Sequence, residues 1–262
     1  METTTTCPRE ATGLAGTPPV ALIVGEMAAL SAGFLLCRSL LCPRAGNVIV
    51  DLCLVVGFAA WAGWIGLVSP ALFPCGVANF RATGPARTLF IRTDNLAPAM
   101  WRFGLVTLFA GLALIGATAL FKPDAFLHVS WRRFLTKETL YLGSAFLQWV
   151  IFFRYFFVRF HYVLDDRYGR LGVALATAVV FSAFHSPNLP LMGLAFGAGV
   201  VWAWIYYEFP NMLAVVLCHS LLGTVVHQIC QLNTRCGPNY YTGRTSVEQI
   251  FPGLAQWIFS IR

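Results

Sequence analysis

The sequence Phe181-Ser-Ala-Phe-His185-Ser-Pro-Asn188 ends an apolar run with a histidine, and a second histidine follows in Cys218-His219-Ser-Leu-Leu-Gly223. Both lie in stretches with the composition of membrane spans. Ionisable side chains in such spans are rare, usually face a bundle interior or a wet cavity, and indicate a functional site. We therefore expect the two histidines to face one interior, where they could share a water molecule, a metal ion or a scissile peptide bond.

The composition indicates a membrane protein. Of 262 residues, 58% are apolar and only 11% are charged, whereas soluble domains carry about 25% charged residues. The net charge of +7 comes from Arg and Lys between the apolar stretches, as expected where loops meet anionic headgroups. We predict an all-α, polytopic transmembrane helical bundle of about seven or eight helices, with the lipid bilayer and not nucleic acid as its partner.

Seven apolar stretches are separated by polar or Pro/Gly-containing segments. The segment before the fourth contains Trp131-Arg-Arg-Phe134, a basic and aromatic element expected in the headgroup layer. Arg and Lys are divided almost evenly between the two sides, so the orientation stays open. The expected spans are residues 20–41, 47–68, 99–121, 139–164, 171–185, 189–209 and 210–230.

These spans divide the chain into four parts. Residues 1–19 form a polar N-terminal tail, and residues 20–138 form N-terminal transmembrane helices with the interfacial element. Residues 139–230 form a membrane-embedded domain with both histidines, and residues 231–262 form a tail with a short interfacial helix. We expect a multi-pass protein of a membrane, specifically a bacterial cytoplasmic membrane.

Helical spacing groups the polar residues near the histidines. Phe181 and His185 are four apart and share a helix face, as do His219 and Gly223. His227 is eight residues beyond His219 and is interpreted as structural. We expect the proline after His185 to stop its helix, because proline prevents the helix from continuing.

The fourth span carries two further polar residues. Gln148, Phe152 and Tyr155 are spaced to form one stripe, and Arg154 lies on a neighbouring one. A buried arginine cannot lose its proton and needs hydrogen-bond acceptors. Gln148 and Arg154 are therefore either helix-packing residues or part of the site.

These motifs resemble the CPBP family, the CAAX-processing and bacteriocin-self-immunity type of intramembrane protease. Its pattern is Glu-Glu-x-x-x-Arg on one helix, Phe-x-x-x-His on the next and His-x-x-x-Asn on a later one. The resemblance covers about residues 139–230 and is most specific at Phe181, His185, residues 206–211 and His219. It implies that a glutamate and the histidines activate a water molecule that attacks the scissile amide.

The chain departs from this pattern at the acid. With Arg154 as the motif arginine, the two glutamates become Trp149 and Val150. With Gln148 as the first glutamate, the second becomes Trp149 and the arginine becomes Phe153. Neither register supplies a carboxylate, and an amide cannot take a proton from water as a general base does.

Three interpretations follow. In the leading one, the protein is a membrane-embedded endopeptidase whose catalytic residues are His185, His219, Gln148 and Arg154. In the alternative, it is an inactive homologue that binds a hydrophobic or lipidated peptide, or a partner membrane protein, as a scaffold. The third is a small transporter, although the two halves lack the matching broken helices of that class.

The two histidines could also hold a divalent metal such as zinc. His185 and His219 supply two ligands, whereas catalytic zinc usually takes three from the protein. His227 or Gln148 could complete the set if the geometry brought them together. In the Gly223 position the family has an asparagine.

Overall fold

The computed structural model describes residues 20–40, 56–57, 60–61, 63–65, 69 and 92–234, and these residues contain no strand. The predicted all-α class is confirmed. A 3-10 helix, Pro123–His128, precedes the third α-helix, and two π-helical segments, Val150–Phe157 and Val225–Ile229, follow the third and the sixth. The α-helices are α1 (Val20–Leu40), α2 (Leu96–Phe121), α3 (Trp131–Trp149), α4 (Val158–Ala183), α5 (Leu189–Glu208) and α6 (Met212–Thr224).

Four helical stretches of the described residues are long and apolar enough to cross a membrane. A shorter apolar helix, Val20–Gly33, lies within α1. The number of seven or eight spans stays a prediction, because most of the expected span 47–68 lies outside the described residues. The four stretches are Leu96–Phe121, Trp131–Ala183, Leu189–Glu208 and Met212–Ile229.

Helix α3 begins earlier than the sequence predicts. The Ser130 hydroxyl accepts a hydrogen bond from the Arg133 backbone N–H at 3.4 Å, so serine caps a helix that starts at Trp131. The expected interfacial element and the start of the expected span 139–164 are therefore one continuous helix. Trp131 at its start is 67% exposed, whereas Phe134 is buried.

A glycine divides α4 near the turn expected between the fourth and fifth spans. Gly169 has φ +56° and ψ −162°, a conformation that side chains with a Cβ rarely adopt. The next residue, Arg170, donates to the Trp204 carbonyl at 3.0 and 2.6 Å and forms an ion pair with Glu208. These bonds hold the end of α5 against α4.

Two asparagines start the helices that follow. Asn188 accepts from the Leu191 N–H at 3.2 Å, and Asn211 accepts from the Ala214 N–H at 3.0 Å. Proline is favoured in the first helical turn, and the sequence places Pro210 there. In the structure Pro210 lies one residue before the N-cap Asn211, and α6 begins at Met212. Asn211 is the cap because its side chain accepts a hydrogen bond from a free N–H group of the first turn.

The Asn211 side chain also joins α6 to the segment before α2. It is fully buried, and its Nδ2 atom donates to the Arg92 carbonyl at 2.6 Å and to Asn95 Oδ1 at 2.8 Å. Asn95 Nδ2 donates in turn to the Pro210 carbonyl at 3.2 Å. Helix α6 packs against both α2 and α3, and α4 packs against α5.

A charged pair links α1 to α4. The Arg159 guanidinium lies 3.2 Å from Glu26 Oε2, and Glu26 Oε1 accepts from Ser69 at 2.6 Å and from Trp64 at 3.0 Å. Arg159 is buried. Pairing of this kind is what allows ionisable groups to lie among apolar helices.

Candidate functional site

A cavity of about 880 Å³ lies between the helices. Apolar side chains of α2 and α5 line one part of it, and α3, α6 and the π-helical segment after α6 contribute uncharged polar side chains. Among the described residues that line it there is no Asp, Glu, Lys or Arg. The cavity therefore offers hydrogen bonds without a fixed charge.

The structure brings three of the four predicted site residues to this cavity. Gln148, His185 and His219 all line it, together with Phe181 of the predicted motif. The rings of both histidines contact the Phe181 ring, with centroids 4.9 and 5.8 Å away. The fourth residue, Arg154, is not among the lining residues.

His185 lies in the turn after α4 and is held by a backbone carbonyl. Its Nδ1 atom is 2.8 Å from the carbonyl oxygen of Phe181. Because a carbonyl only accepts, Nδ1 carries the proton, and in the neutral ring Nε2 is then the acceptor nitrogen. The last four carbonyls of a helix lack helical donors, so this bond also satisfies the end of α4.

His219 lies in an aromatic surround on α6. It is 6% exposed, and its Nε2 atom is 2.8 Å from the hydroxyl of Tyr141. Among the described residues, its Nδ1 atom has no hydrogen-bond partner. Three further rings lie with centroids 5.1, 5.3 and 5.8 Å from the imidazole, those of Trp149, Trp202 and Phe181.

Trp149 stands at a glutamate position of the family pattern in both registers. Its side chain is fully buried, and its indole stacks on Phe181 at 5.3 Å and meets His219 edge to face at 5.1 Å. A carboxylate at this position would face the imidazole. The chain has an indole there instead, whose N–H group only donates and cannot take a proton from water.

Sequence reasoning missed two polar residues on the cavity side of α3. Tyr141, Ser144 and Gln148 all line the cavity, and Gln148 Nε2 donates to Ser144 Oγ at 3.2 Å. Their spacing of three, four and seven residues places them on one helical face. The spacing is present in the sequence, but Tyr141 and Ser144 lie near the start of the expected span 139–164, where no site residue is predicted.

Tyr155 departs from the stripe predicted with Gln148 and Phe152, because the segment that carries it is π-helical. A π-helix bonds residue i to i+5 and so changes which side chains share a face. Phe152 lines the cavity with Gln148, whereas Tyr155 does not and instead lies beneath the Arg159 guanidinium at 3.5 Å. Arg154 is buried away from the cavity lining.

The donor atoms present do not fit a zinc site. Among the described residues, no group of three or more His, Cys, Asp or Glu side chains could hold a metal ion. His185 and His219 supply two nitrogens, and Nε2 of the latter already bonds Tyr141. His227 lines the cavity but forms a hydrogen bond with Gln228, so it does not complete the set.

Glu138 of α3 and Glu208 of α5 lie outside the cavity lining. Glu208 pairs with Arg170 at the far end of α5. Glu138 lies on α3, and neither carboxylate is among the groups that line the cavity. Neither of them therefore replaces the acid that the family pattern places beside the histidines.

A family model for type II CAAX prenyl endopeptidase Rce1-like proteins matches residues 150–225. The matched segment contains Phe181, His185 and His219. Comparison with curated proteins and with solved structures gave no significant match. The apolar helices support an integral membrane protein, and the match supports a resemblance to CAAX-type proteases over the matched residues. The predicted resemblance to the CPBP family is confirmed over that segment.

Proposed function

We propose that the protein binds a hydrophobic or lipidated peptide, or such a segment of a partner membrane protein, in the cavity between its helices. The observation that carries this proposal is the position of Trp149 beside His219. In this proposal the cavity binds the peptide, and an indole stands where the family pattern has a glutamate that serves as general base.

The cavity fits a ligand with an apolar chain and backbone amides. Its volume of about 880 Å³ lies within the range of roughly 300–1,000 Å³ for small-ligand sites. The apolar side chains of α5 suit a lipid chain or apolar side chains. Tyr141, Ser144 and Gln148 offer uncharged hydrogen-bonding groups suited to peptide carbonyls and N–H groups.

Hydrolysis by the mechanism that the resemblance implies requires a proton acceptor for water. Gln148 carries an amide, which is not a base, and Trp149 occupies the other position. General acid–base catalysis contributes roughly 10²–10⁴-fold. We therefore expect any cleavage by the wild-type protein to be slower by about that factor than cleavage with a carboxylate in place.

The second candidate function is an endopeptidase, and the tautomer of His185 favours it. Because Nδ1 donates to the Phe181 carbonyl, Nε2 is the ring's acceptor atom and can take a proton from water. In this version His185 is the base and His219 and Gln148 orient water or the scissile carbonyl. Arg154 was predicted as a fourth catalytic residue and would act only through its neighbours.

One experiment separates the two functions. The purified protein in lipid nanodiscs is offered a fluorescent farnesylated peptide and the same peptide without the lipid, and both binding and cleavage are followed. Lipid-dependent binding without cleavage supports the proposal. Cleavage that His185→Ala abolishes supports the endopeptidase, and neither binding nor cleavage overturns both.

Restoring a carboxylate sharpens the test. Trp149→Glu and Gln148→Glu each place an acid at a glutamate position of the family pattern. Cleavage gained by either variant, with wild-type peptide binding, supports a binding protein that has lost its acid. Gln148→Glu changes little volume, so it covers the case in which Trp149→Glu fails to fold.

A further inference from the structure

Gly223 on α6 faces the ring of Tyr141 on α3. A Cβ atom added to Gly223 would lie 2.5 Å from Tyr141 Cε1 and 3.1 Å from its Cζ and Oη atoms. Two other cavity-lining glycines, Gly193 and Gly197 on α5, would have no atom within 4 Å of an added Cβ. The space that a side chain at Gly223 would need is therefore occupied by the tyrosine ring, whereas the corresponding space at Gly193 and Gly197 is empty.

The same tyrosine contacts His219, one helical turn before Gly223. Its hydroxyl is 2.8 Å from Nε2, and the two rings have centroids 5.6 Å apart. Both residues line the cavity, but His219 is only 6% exposed and its Nε2 atom faces the tyrosine hydroxyl. The tyrosine thus lies along the α6 face that carries the histidine, and the absence of a side chain at Gly223 allows it to lie there.

We propose that Tyr141 is the positioning residue of His219: it holds the imidazole through Nε2 and separates that atom from the cavity. A ligand then reaches Nε2 of His219 only after Tyr141 moves. The statement about ligand access rests on the proposed function, but the contact between Tyr141 and His219 can be tested without any peptide. Gly223 is needed for this arrangement, because any larger residue at that position would displace the tyrosine ring.

Chemical modification of histidine provides the readout. Diethyl pyrocarbonate acylates accessible imidazole nitrogens, and mass spectrometry gives a rate for each histidine of the detergent-purified protein. We expect Gly223→Ala to raise the His219 rate by about fivefold, the change expected from loss of one net hydrogen bond. Gly197→Ala is the matched control, since its added Cβ meets nothing within 4 Å.

A second variant separates the hydroxyl from the ring. Tyr141→Phe keeps the ring over Gly223 and removes the bond to Nε2, so the His219 rate should again rise about fivefold. Ser144→Ala, on the same cavity face, should leave it unchanged. The His185 rate in each variant shows that the fold persists. Wild-type His219 rates in both Tyr141→Phe and Gly223→Ala would overturn the proposal.

The double variant covers the case in which Gly223→Ala is too unstable to measure. Replacing Tyr141 by alanine removes the clashing ring, so adding Gly223→Ala to Tyr141→Ala should not lower the unfolding temperature further. A further loss in the double variant would show that the glycine serves something other than the tyrosine. Peptide binding plays no part in these measurements, so their outcome is independent of the binding result.

Discussion

The indole of Trp149 lies 5.1 Å from the imidazole of His219, centroid to centroid, with the ring planes at 85°. Edge-to-face contacts of this kind stabilise packed aromatic groups beyond their buried area. The contact joins α3 to α6 at the point where the family pattern would join them through an acid. Aromatic packing therefore joins the two helices at this crossing.

Trp149→Ala should therefore destabilise the protein strongly. The side chain is fully buried, and truncation of a buried aromatic residue costs roughly 3–5 kcal/mol. Unfolding in mixed detergent micelles measures this free energy. Trp101→Ala is the control, because Trp101 is 66% exposed on α2. Equal losses in the two variants would contradict the assigned role of Trp149.

Breaking the pair between Glu26 and Arg159 should loosen α1. Arg159→Ala leaves the Glu26 carboxylate without its charged partner, and breaking such a pair costs roughly 3–5 kcal/mol. The double variant Glu26→Gln with Arg159→Ala should lose less stability than the sum of the losses in Glu26→Gln and in Arg159→Ala. Arg102→Ala, on an exposed residue of α2, is the control. Additive losses would indicate that the two residues act separately.

Filling the cavity should weaken peptide binding without unfolding the protein. Ala198 on α5 lines the cavity, and a tryptophan there would occupy the space of the ligand. We expect at least about tenfold weaker binding of the farnesylated peptide, the effect of losing 1.4 kcal/mol. Ala113→Trp, on the exposed face of α2, tests for nonspecific effects of the large side chain. Unchanged affinity in Ala198→Trp would place the binding site elsewhere.

Chelation should leave peptide binding unchanged. The donor atoms around His185 and His219 include no third metal ligand among the described residues, and catalytic zinc usually takes three. We expect substoichiometric zinc by elemental analysis and equal affinities with and without EDTA. One tightly held metal ion per chain, lost together with binding on chelation, would refute this.

The sequence was sufficient to predict that His185 and His219 face one interior, and both line the same cavity. Each histidine lies inside an apolar run, and ionisable side chains in membrane spans almost always face the interior of the bundle. The all-α class followed from the same apolar runs, and the resemblance to the CPBP family followed from the motifs within them. The bacterial membrane and the boundaries of the four parts stay predictions.

The remaining site geometry depends on features that span and motif patterns do not encode. The π-helical segment moves Tyr155 off the face that it would share with Gln148 in a regular α-helix, and hydropathy gives no sign of this segment. The Ser130 cap extends α3 so that Tyr141 lies well inside a helix rather than near its start. The contact of Trp149 with His219 arises between helices far apart in the chain, so only the packed structure shows it.

The buried amide of Asn211 fixes the start of the helix that carries His219. Two stretches of chain meet at that side chain, the segment that contains Arg92 and Asn95 and the start of α6. Eight residues separate it from the histidine, which corresponds to about 12 Å along a helix axis. The imidazole therefore lies at a fixed distance along α6 from this buried amide, and a change at Asn211 would displace the histidine relative to the cavity.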